Sequence, residues 1–221
     1  MSDLDAILDS DATAAASGQY YEAPWYGELK ACTACTCRPE AKQVVPGVGL
    51  RDAEILILGR NPGKTEDKDG FPLIGKSGDE LNVWLTKLGL DRNRVIVTNL
   101  VKCHTLKDRP PKRPEIETCS GLWLRQEIVY LHKVRVIVPL GVEATSFMLG
   151  EHGASPAKLQ AYAEQIEIDG RRIHVIPLPH PSYLLRSKGK AQILYKTVLP
   201  KVREYLRREV PDAYERATLK P

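Results

Sequence analysis

The chain has 221 residues, of which 43% are hydrophobic and 27% are charged, a composition that is ordinary for a globular protein. Its length suits one well-buried α/β domain and does not require two. No apolar stretch approaches the roughly 20 residues that a transmembrane helix needs, so we expect a soluble protein with no membrane contact. The formal net charge of +4 does not by itself point to nucleic acid.

The ends of the chain differ in composition from its middle. Residues 1–18 are small, acidic and polar, which predicts a flexible N-terminal tail. Residues 19–210 are predicted to form a single domain, which begins with a loop-rich lead-in over 19–50. Residues 211–221 are predicted to form a C-terminal tail.

Four short apolar runs predict buried strands of the parallel kind. They lie at 53–59, 95–101, 134–141 and 173–180, and a turn at Asp169-Gly170 leads into the last of them from a strand at about 163–168. Helical patterns separate the runs, at 81–88, 116–131 and 142–149, and another follows at 194–210. This alternation predicts an α/β fold, a three-layer α/β/α arrangement around a central, mostly parallel four-stranded sheet.

Basic residues are concentrated in two segments: Lys102, Lys107, Arg109, Lys112 and Arg113, and then Arg186, Lys188 and Lys190. Such clusters suit a phosphate backbone, although a solvated surface is the commoner explanation of any single run. The charge pattern therefore permits a nucleic-acid partner without requiring one.

Four cysteines stand in two pairs separated by 68 residues: Cys32 and Cys35, then Cys103 and Cys119. In a chain with no evident signal peptide, thiols from two distant segments are better read as ligands of zinc or of an iron–sulfur cluster than as disulfides. The second pair, 16 residues apart, is too open for a compact zinc knuckle and favours a cubane cluster. The other interpretation is scattered buried thiols, with Cys37 as a fifth. Retained thiols also predict a cytoplasmic protein.

Three of the predicted strand ends carry polar or glycine-rich pieces, at 59–63, 98–99 and 180–182. In open parallel sheets, ligands bind beyond the carboxyl ends of the strands. There, Asn61 could hold a water, unless its motif is a simple turn. Asn99 offers a donor beside an acceptor, which matches a pyrimidine edge, or it is a buried cap. His180, held between two prolines, could donate to a developing anion.

In order and spacing, the motifs resemble those of the uracil-DNA glycosylase superfamily, and most of all its iron–sulfur-containing family 4. The resembling segments are C-T-A-C at 32–35, G-R-N-P-G at 59–63, E-D-K-D-G-F-P at 66–72, I-G-K-S-G at 74–78, V-T-N-L-V-K-C at 97–103, Cys119, V-P-L-G at 138–141 and H-P-S-Y-L-L-R at 180–186.

The resemblance implies an enzyme of base excision repair that flips uracil out of DNA and hydrolyses its N-glycosidic bond, leaving an abasic site. It implies a [4Fe–4S] cluster held by the two cysteine pairs, with Cys37 outside it, and catalytic roles for Asn61 and His180. The implied substrate-binding residues are Gly59, Arg60, Phe71, Leu73 and Asn99. The implied DNA-binding residues are Ser182, Tyr183, Leu184, Leu185 and Arg186, of which Tyr183, Leu184 and Leu185 would form an apolar wedge. We expect a monomer whose partner is uracil-containing DNA.

The sequence departs from the family 4 pattern at two places. Family 4 usually has Gly-Glu-Ala-Pro-Gly in the first motif, whereas Arg60 and Asn61 stand here. Gly-x-Asn-Pro-Gly is similar to the mismatch-specific and single-strand-selective branches, in which the Asn positions the attacking water. Leu73 stands where family 4 has a Phe that stacks on the base, and Phe71 lies two residues earlier.

These departures leave two alternatives open. One is a glycosylase or base-processing enzyme with another target, such as hypoxanthine, thymine or a modified pyrimidine. The other is an iron–sulfur DNA-binding module without catalysis. The joint presence of Asn61, Asn99 and His180 argues against a simple loss of activity.

Overall fold

A computed structural model of the chain describes residues 23–150, 163–185 and 188–218. The predicted tail at 1–18 lies outside these residues. Within them, no helix combines the length and the apolar character that crossing a bilayer requires.

The centre of the molecule is a five-stranded sheet with strand order β2-β1-β3-β5-β4. The strands are β1 (Ile55–Gly59), β2 (Ile96–Asn99), β3 (Val136–Pro139), β4 (Glu164–Ile168) and β5 (Arg171–Val175). Four of them run parallel, and β4 pairs antiparallel with β5 at one edge. The predicted α/β class with a mostly parallel sheet is confirmed. The sheet has five strands rather than four because the turn at Asp169 and Gly170, both with positive φ, folds β4 back onto β5.

Ten α-helices accompany the sheet in the described part of the chain: α1 (Tyr26–Lys30), α2 (Lys64–Asp69), α3 (Lys76–Leu88), α4 (Arg113–Cys119), α5 (Arg125–Tyr130), α6 (Val142–Leu149), α7 (Pro181–Leu184), α8 (Lys188–Ile193), α9 (Leu199–Glu209) and α10 (Pro211–Ala217). Two π-helical turns, Ser120–Leu124 and Leu194–Val198, join α4 to α5 and α8 to α9. Short 3-10 turns lie at Arg38–Glu40, Arg92–Arg94 and Leu106–Asp108.

Apolar side chains pack on both faces of the sheet, because successive residues of a strand point to opposite sides. In β1, Ile55 and Ile57 contribute to one core cluster, which includes Trp84 of α3. Leu56 and Leu58 contribute to the other, which includes the cysteine segments. The helices therefore form two layers around the sheet, and every β1 side chain is buried.

The C-terminal boundary lies later than the sequence indicated. We predicted a tail from residue 211, but α10 packs against the core, with Ala213, Tyr214 and Ala217 buried. The Tyr214 hydroxyl donates a 2.8 Å hydrogen bond to the carbonyl of Leu88, at the end of α3. These three residues lie on one helical face, which gives this short segment an apolar side to bury.

A buried ion pair ties α5 to the end of β2. The Lys102 ammonium lies 2.5 Å from Oε2 of Glu127, and both side chains are only 1% exposed. Thr98 completes the group, because its hydroxyl accepts from Lys102 at 2.6 Å and donates to Glu127 at 2.9 Å. Low dielectric and satisfied hydrogen bonds make such a pair costly to break from one side only.

Candidate active site

The ends of β1 and β2 meet because the two strands are parallel neighbours, with Gly59 directly opposite Asn99. Asn99 is only 2% exposed. A Cβ added at Gly59 would lie 2.2 Å from the Asn99 side-chain oxygen. The amide of Asn99 therefore occupies the space that glycine leaves free, and position 59 admits no larger residue while that amide stays in place.

Leu73 borders the same space. Its Cδ1 would lie 3.6 Å from a Cβ at Gly59, and the residue is 6% exposed. Its backbone has the left-handed φ of 51°, and its carbonyl accepts a 2.8 Å hydrogen bond from Arg92. Phe71 is half-buried two residues earlier. An aliphatic side chain thus lies beside the Gly59–Asn99 pair, at the position where family 4 usually has an aromatic ring.

The turn after β1 fixes the Asn61 side chain from both ends of its amide. Nδ2 donates to the carbonyl of Pro62 at 3.1 Å and to the hydroxyl of Thr105 at 3.3 Å. Oδ1 accepts from Nε of Arg60 at 2.9 Å. Because Arg60 can only donate, these bonds assign the amide orientation.

The buried carboxylate of Glu66 joins this turn to the start of α3. Oε2 accepts from the backbone N–H of Gly63 at 3.1 Å. Oε1 accepts from the backbone N–H groups of Ile74 and Gly75, at 3.1 and 2.9 Å. The acid therefore holds the two motifs that flank α2 at a fixed separation.

Sequence reasoning missed Glu143, the second residue of α6. Its Oε1 lies 2.9 Å from Nη1 of Arg60. Burial opposes ionisation, but the hydrogen bond from Arg60 keeps the pKa of Glu143 below its ordinary value. The available signal was its place just after β3, since that strand ends at the same edge of the sheet as Gly59.

His180 precedes α7, and its ring is held by Ser182. Nδ1 lies 2.8 Å from Oγ of Ser182 and accepts its backbone N–H at 3.2 Å. Since an amide N–H only donates, Nδ1 carries no proton, and the neutral ring has its proton on Nε2. Burial and the positive charge of Arg60 lower the pKa of His180 to about 4, with Glu143 opposing. The group is therefore a neutral imidazole whose Nε2–H is left to donate.

The residues after His180 do not form a continuous exposed tip. Tyr183 and Leu185 are 47% and 51% exposed. Leu184 is buried in the core, because helix α7 directs its side chain inward. The prediction that Leu184 forms part of an exposed apolar wedge is therefore wrong. Ser182 hydrogen-bonds to His180, which the sequence did not suggest. Arg186 lies outside the described residues.

The four cysteines of the two pairs line one cavity, on the face of the sheet that carries α5: Cys32, Cys35, Cys103 and Cys119. Trp123 Nε1–H donates to Sγ of Cys32 at 3.2 Å, and the backbone N–H of Lys102 donates to Sγ of Cys119 at 3.3 Å. Donors of this kind stabilise sulfur ligands. Among the described residues, no three ligating side chains are grouped so as to hold a metal ion.

The chemistry of these thiols depends on their burial. Burial raises the pKa of Cys103 to about 12 and that of Cys119 to about 11. As free thiols they stay protonated at neutral pH, and a bound metal would have to displace the protons. Cys37 is fully buried beside them, and burial also raises its pKa.

The loop after Cys103 contacts the Asn61 turn. His104 Nδ1 lies 3.1 Å from the carbonyl of Pro62, and Thr105 accepts from Asn61. The loop is braced by Arg109, whose guanidinium binds the carboxylates of Glu40 and Glu115 at 2.9 and 2.7 Å. Arg109 holds the pKa of Glu115 well below its usual range.

These contacts change the interpretation of the first basic segment. Lys102 lies in the buried ion pair with Glu127. Arg109 is engaged by two carboxylates. Both residues therefore have structural partners, and neither is a free phosphate contact.

Comparison with known proteins gives consistent matches. Residues 46–207 match the model of the Uracil DNA glycosylase superfamily. The chain is 33% identical over 181 residues to the Type-4 uracil-DNA glycosylase of Sulfurisphaera tokodaii, covering 80% of this chain and 81% of that protein. It is 36% identical over 162 residues to that of Thermotoga maritima, covering 73% and 81%. It is 30% identical over 193 residues to that of Archaeoglobus fulgidus, covering 85% and 94%.

Proposed function

This chain belongs to the uracil-DNA glycosylase superfamily, and we propose that it flips uracil out of DNA and hydrolyses the N-glycosidic bond, leaving an abasic site. Family membership makes it a hydrolase of DNA repair. The observation that carries the proposal is that Arg60 bonds to both Asn61 and Glu143, and that the charges of Arg60 and Glu143 act on the buried imidazole of His180. The Gly59–Asn99 pair lies at the same edge of the sheet.

Asn99 selects the base. Its amide presents a donor and an acceptor in one plane, which pair with the carbonyl and the N–H on the uracil edge. Cytosine presents the opposite order at that edge and leaves two polar groups unpaired, which costs binding free energy. Gly59 leaves room for this amide, and Leu73 provides the apolar wall beside it.

His180 and Asn61 act on the two opposite charges that develop as the N-glycosidic bond breaks. The leaving uracil becomes anionic, and the Nε2–H of neutral His180 donates to it. The sugar becomes cationic, and the carbonyl of Asn61 holds the water that attacks it. The proton that this water releases on attack neutralises the uracil anion. An amide is not a base, but an oxocarbenium-like centre needs little help in taking up water.

Extrusion of the base depends on the exposed residues after His180. Unstacking a base costs a few kcal/mol, and an apolar side chain inserted in its place offsets that cost. Tyr183 and Leu185 are exposed and suited to this role, and we assign phosphate contact to Arg186 from its sequence motif alone.

We further propose that the four cysteines lining the shared cavity hold a [4Fe–4S] cluster. The thiols are not grouped closely enough for a single metal ion, but all four line one cavity, as a larger cluster requires. They come from two segments, and two of them receive N–H donors. When bound, the cluster supplies a rigid cross-link between the segment at 32–35 and the loop at 103–119. That loop supports the Asn61 turn through Thr105, so the cross-link acts on the site through position and not through electron transfer.

The cysteines give a direct prediction. Protein purified without oxygen is expected to be brown and to contain about four iron atoms per chain by elemental analysis. Cys103→Ala is expected to lose iron and to lower the melting temperature, whereas Cys37→Ala retains iron. Stoichiometric zinc with no iron would overturn the assignment.

Two further features complete the proposal. A reducing cytoplasm suits a chain whose described cysteines are all free thiols. A monomer suits an enzyme whose proposed site is built from one chain.

A panel of oligonucleotides tests the function. Duplex and single strands carrying one uracil, one hypoxanthine or one T·G mismatch are incubated with the protein, and abasic sites are then cleaved with alkali. Cleavage only at uracil supports the proposal. Cleavage at another base would indicate a changed target, and binding without cleavage would indicate a non-catalytic module. His180→Ala protein prepared in parallel controls for contaminating glycosylases.

A further inference from the structure

We propose that Glu143 and Arg60 form a relay that fixes the amide of Asn61, which makes Arg60 a positioning residue for the attacking water. The inference deepens the proposed function and rests on it. It assigns a role to Arg60, which replaces the glutamate of the family 4 motif, and to Glu143, which follows the end of β3.

The geometry of the guanidinium carries the proposal. Nη1 donates to Oε1 of Glu143 at 2.9 Å, and Nε donates to Oδ1 of Asn61 at 2.9 Å. The donors of a guanidinium lie in one rigid plane, so anchoring Nη1 also sets the direction of Nε. Glu143 lies in the first turn of α6, so the helix fixes its backbone.

The relay resolves an ambiguity in the amide. The two ends of an Asn side chain have nearly the same shape, and a half-turn exchanges the donor for the acceptor. Arg60 accepts no hydrogen bond, so it requires Oδ1 on its side, while Pro62 and Thr105 receive Nδ2. Oδ1 has a second lone pair, and that lone pair accepts the O–H of the water and leaves the water oxygen free to attack.

The energetics favour a role in positioning over one in stability. The side chains of Arg60 and Glu143 are 28% and 36% exposed, so water screens the pair and it contributes little to folding. Its loss is therefore expected to free the amide without unfolding the chain.

A double-mutant cycle tests the relay. Single-turnover rates of uracil release are measured with Arg60→Met in the parent and in the Asn61→Ala background. If Arg60 acts through Asn61, Arg60→Met slows the parent by about 10-fold and the Asn61→Ala variant by less than about twofold. Glu143→Ala should give the same pattern, while Glu143→Gln, which keeps the acceptor, should retain most of the rate.

Lys64→Met is the matched control, because it removes an exposed positive charge beside the same turn. Its effect should be equal in both backgrounds. An equal effect of Arg60→Met in both backgrounds would overturn the relay. So would weaker binding to DNA at an unchanged rate, which would make Arg60 a phosphate ligand.

A second readout does not depend on activity. The side-chain NH2 signals of Asn61 in 15N-labelled protein report on the amide directly. Arg60→Met should shift them and remove their protection from exchange, whereas Lys64→Met should not. Unchanged signals would overturn the relay even if the enzyme is active. An inactive parent with the expected shifts would instead reject the proposed function and leave the relay standing.

Discussion

Replacing His180 with alanine is expected to slow uracil release by about 10²–10³-fold, the effect of losing one preorganised donor to an anionic leaving group. Ser182 holds Nδ1, so the Nε2–H that alanine removes is the ring's only free donor. Single-turnover kinetics with excess enzyme should show the loss, while the affinity for uracil-containing DNA changes little. An unaltered rate would show that His180 is structural.

The pH dependence follows from the same residue. Burial and Arg60 lower the pKa of His180 from 6.5 to about 4, so the ring is neutral across the physiological range. Its NMR titration should have a midpoint near that value, and the single-turnover rate should show no step near pH 6.5. Between about pH 4 and pH 6.5, the unfolded chain binds a proton at His180 that the folded chain does not bind. Stability therefore falls as the pH drops through this window and gains nothing from His180 above it.

Gly59→Ala is expected to reduce uracil release by at least about 10²-fold, since a displacement of about 1 Å at a positioned group has that effect. The new Cβ would lie 2.2 Å from the Asn99 oxygen. Gly59 is fixed in β1, so the contact is relieved only by moving the amide that reads the base. Single-turnover rates together with the melting temperature separate a displaced amide from a misfolded chain.

The control for that substitution is Gly121→Ala, because a Cβ there meets nothing within 4 Å. It should leave the rate unchanged. Asn99→Ala should be slow by itself, and adding Gly59→Ala to it should cost little more, because the clash partner is gone. Full activity of Gly59→Ala would remove Asn99 from base recognition.

The parts of the fold that the sequence predicted depend on local patterns. The apolar runs that became β1 and β3 are strands buried on both faces, which leaves a continuous hydrophobic signature. Helix α3 was recognisable from its period of apolar residues and from Gly89, which adopts a φ of 76° at its end. Parallel strands then bring Gly59 and Asn99 to one edge.

The parts that were missed depend on contacts between distant segments. Glu143 meets Arg60 across 83 residues, and its place after β3 was the only sign of it in the sequence. The inward turn of Leu184 depends on the core that receives it, since its neighbours on both sides are exposed. The burial of α10 likewise follows from the surface that α3 and the sheet offer to Tyr214. Side-chain direction and long-range pairing are set by the folded whole.

The buried pair of Lys102 and Glu127 also restricts which substitutions this sequence can accumulate. Removing one partner leaves the other charge buried and unpaired. This lowers the free energy of unfolding by about 3–5 kcal/mol, a large share of a typical domain's stability. Replacing both with apolar residues of similar volume can be neutral. Positions 102 and 127 are therefore bound to change together, through an intermediate that selection disfavours. Since Lys102 precedes Cys103, a substitution at Glu127 in helix α5 acts directly on the cysteine loop.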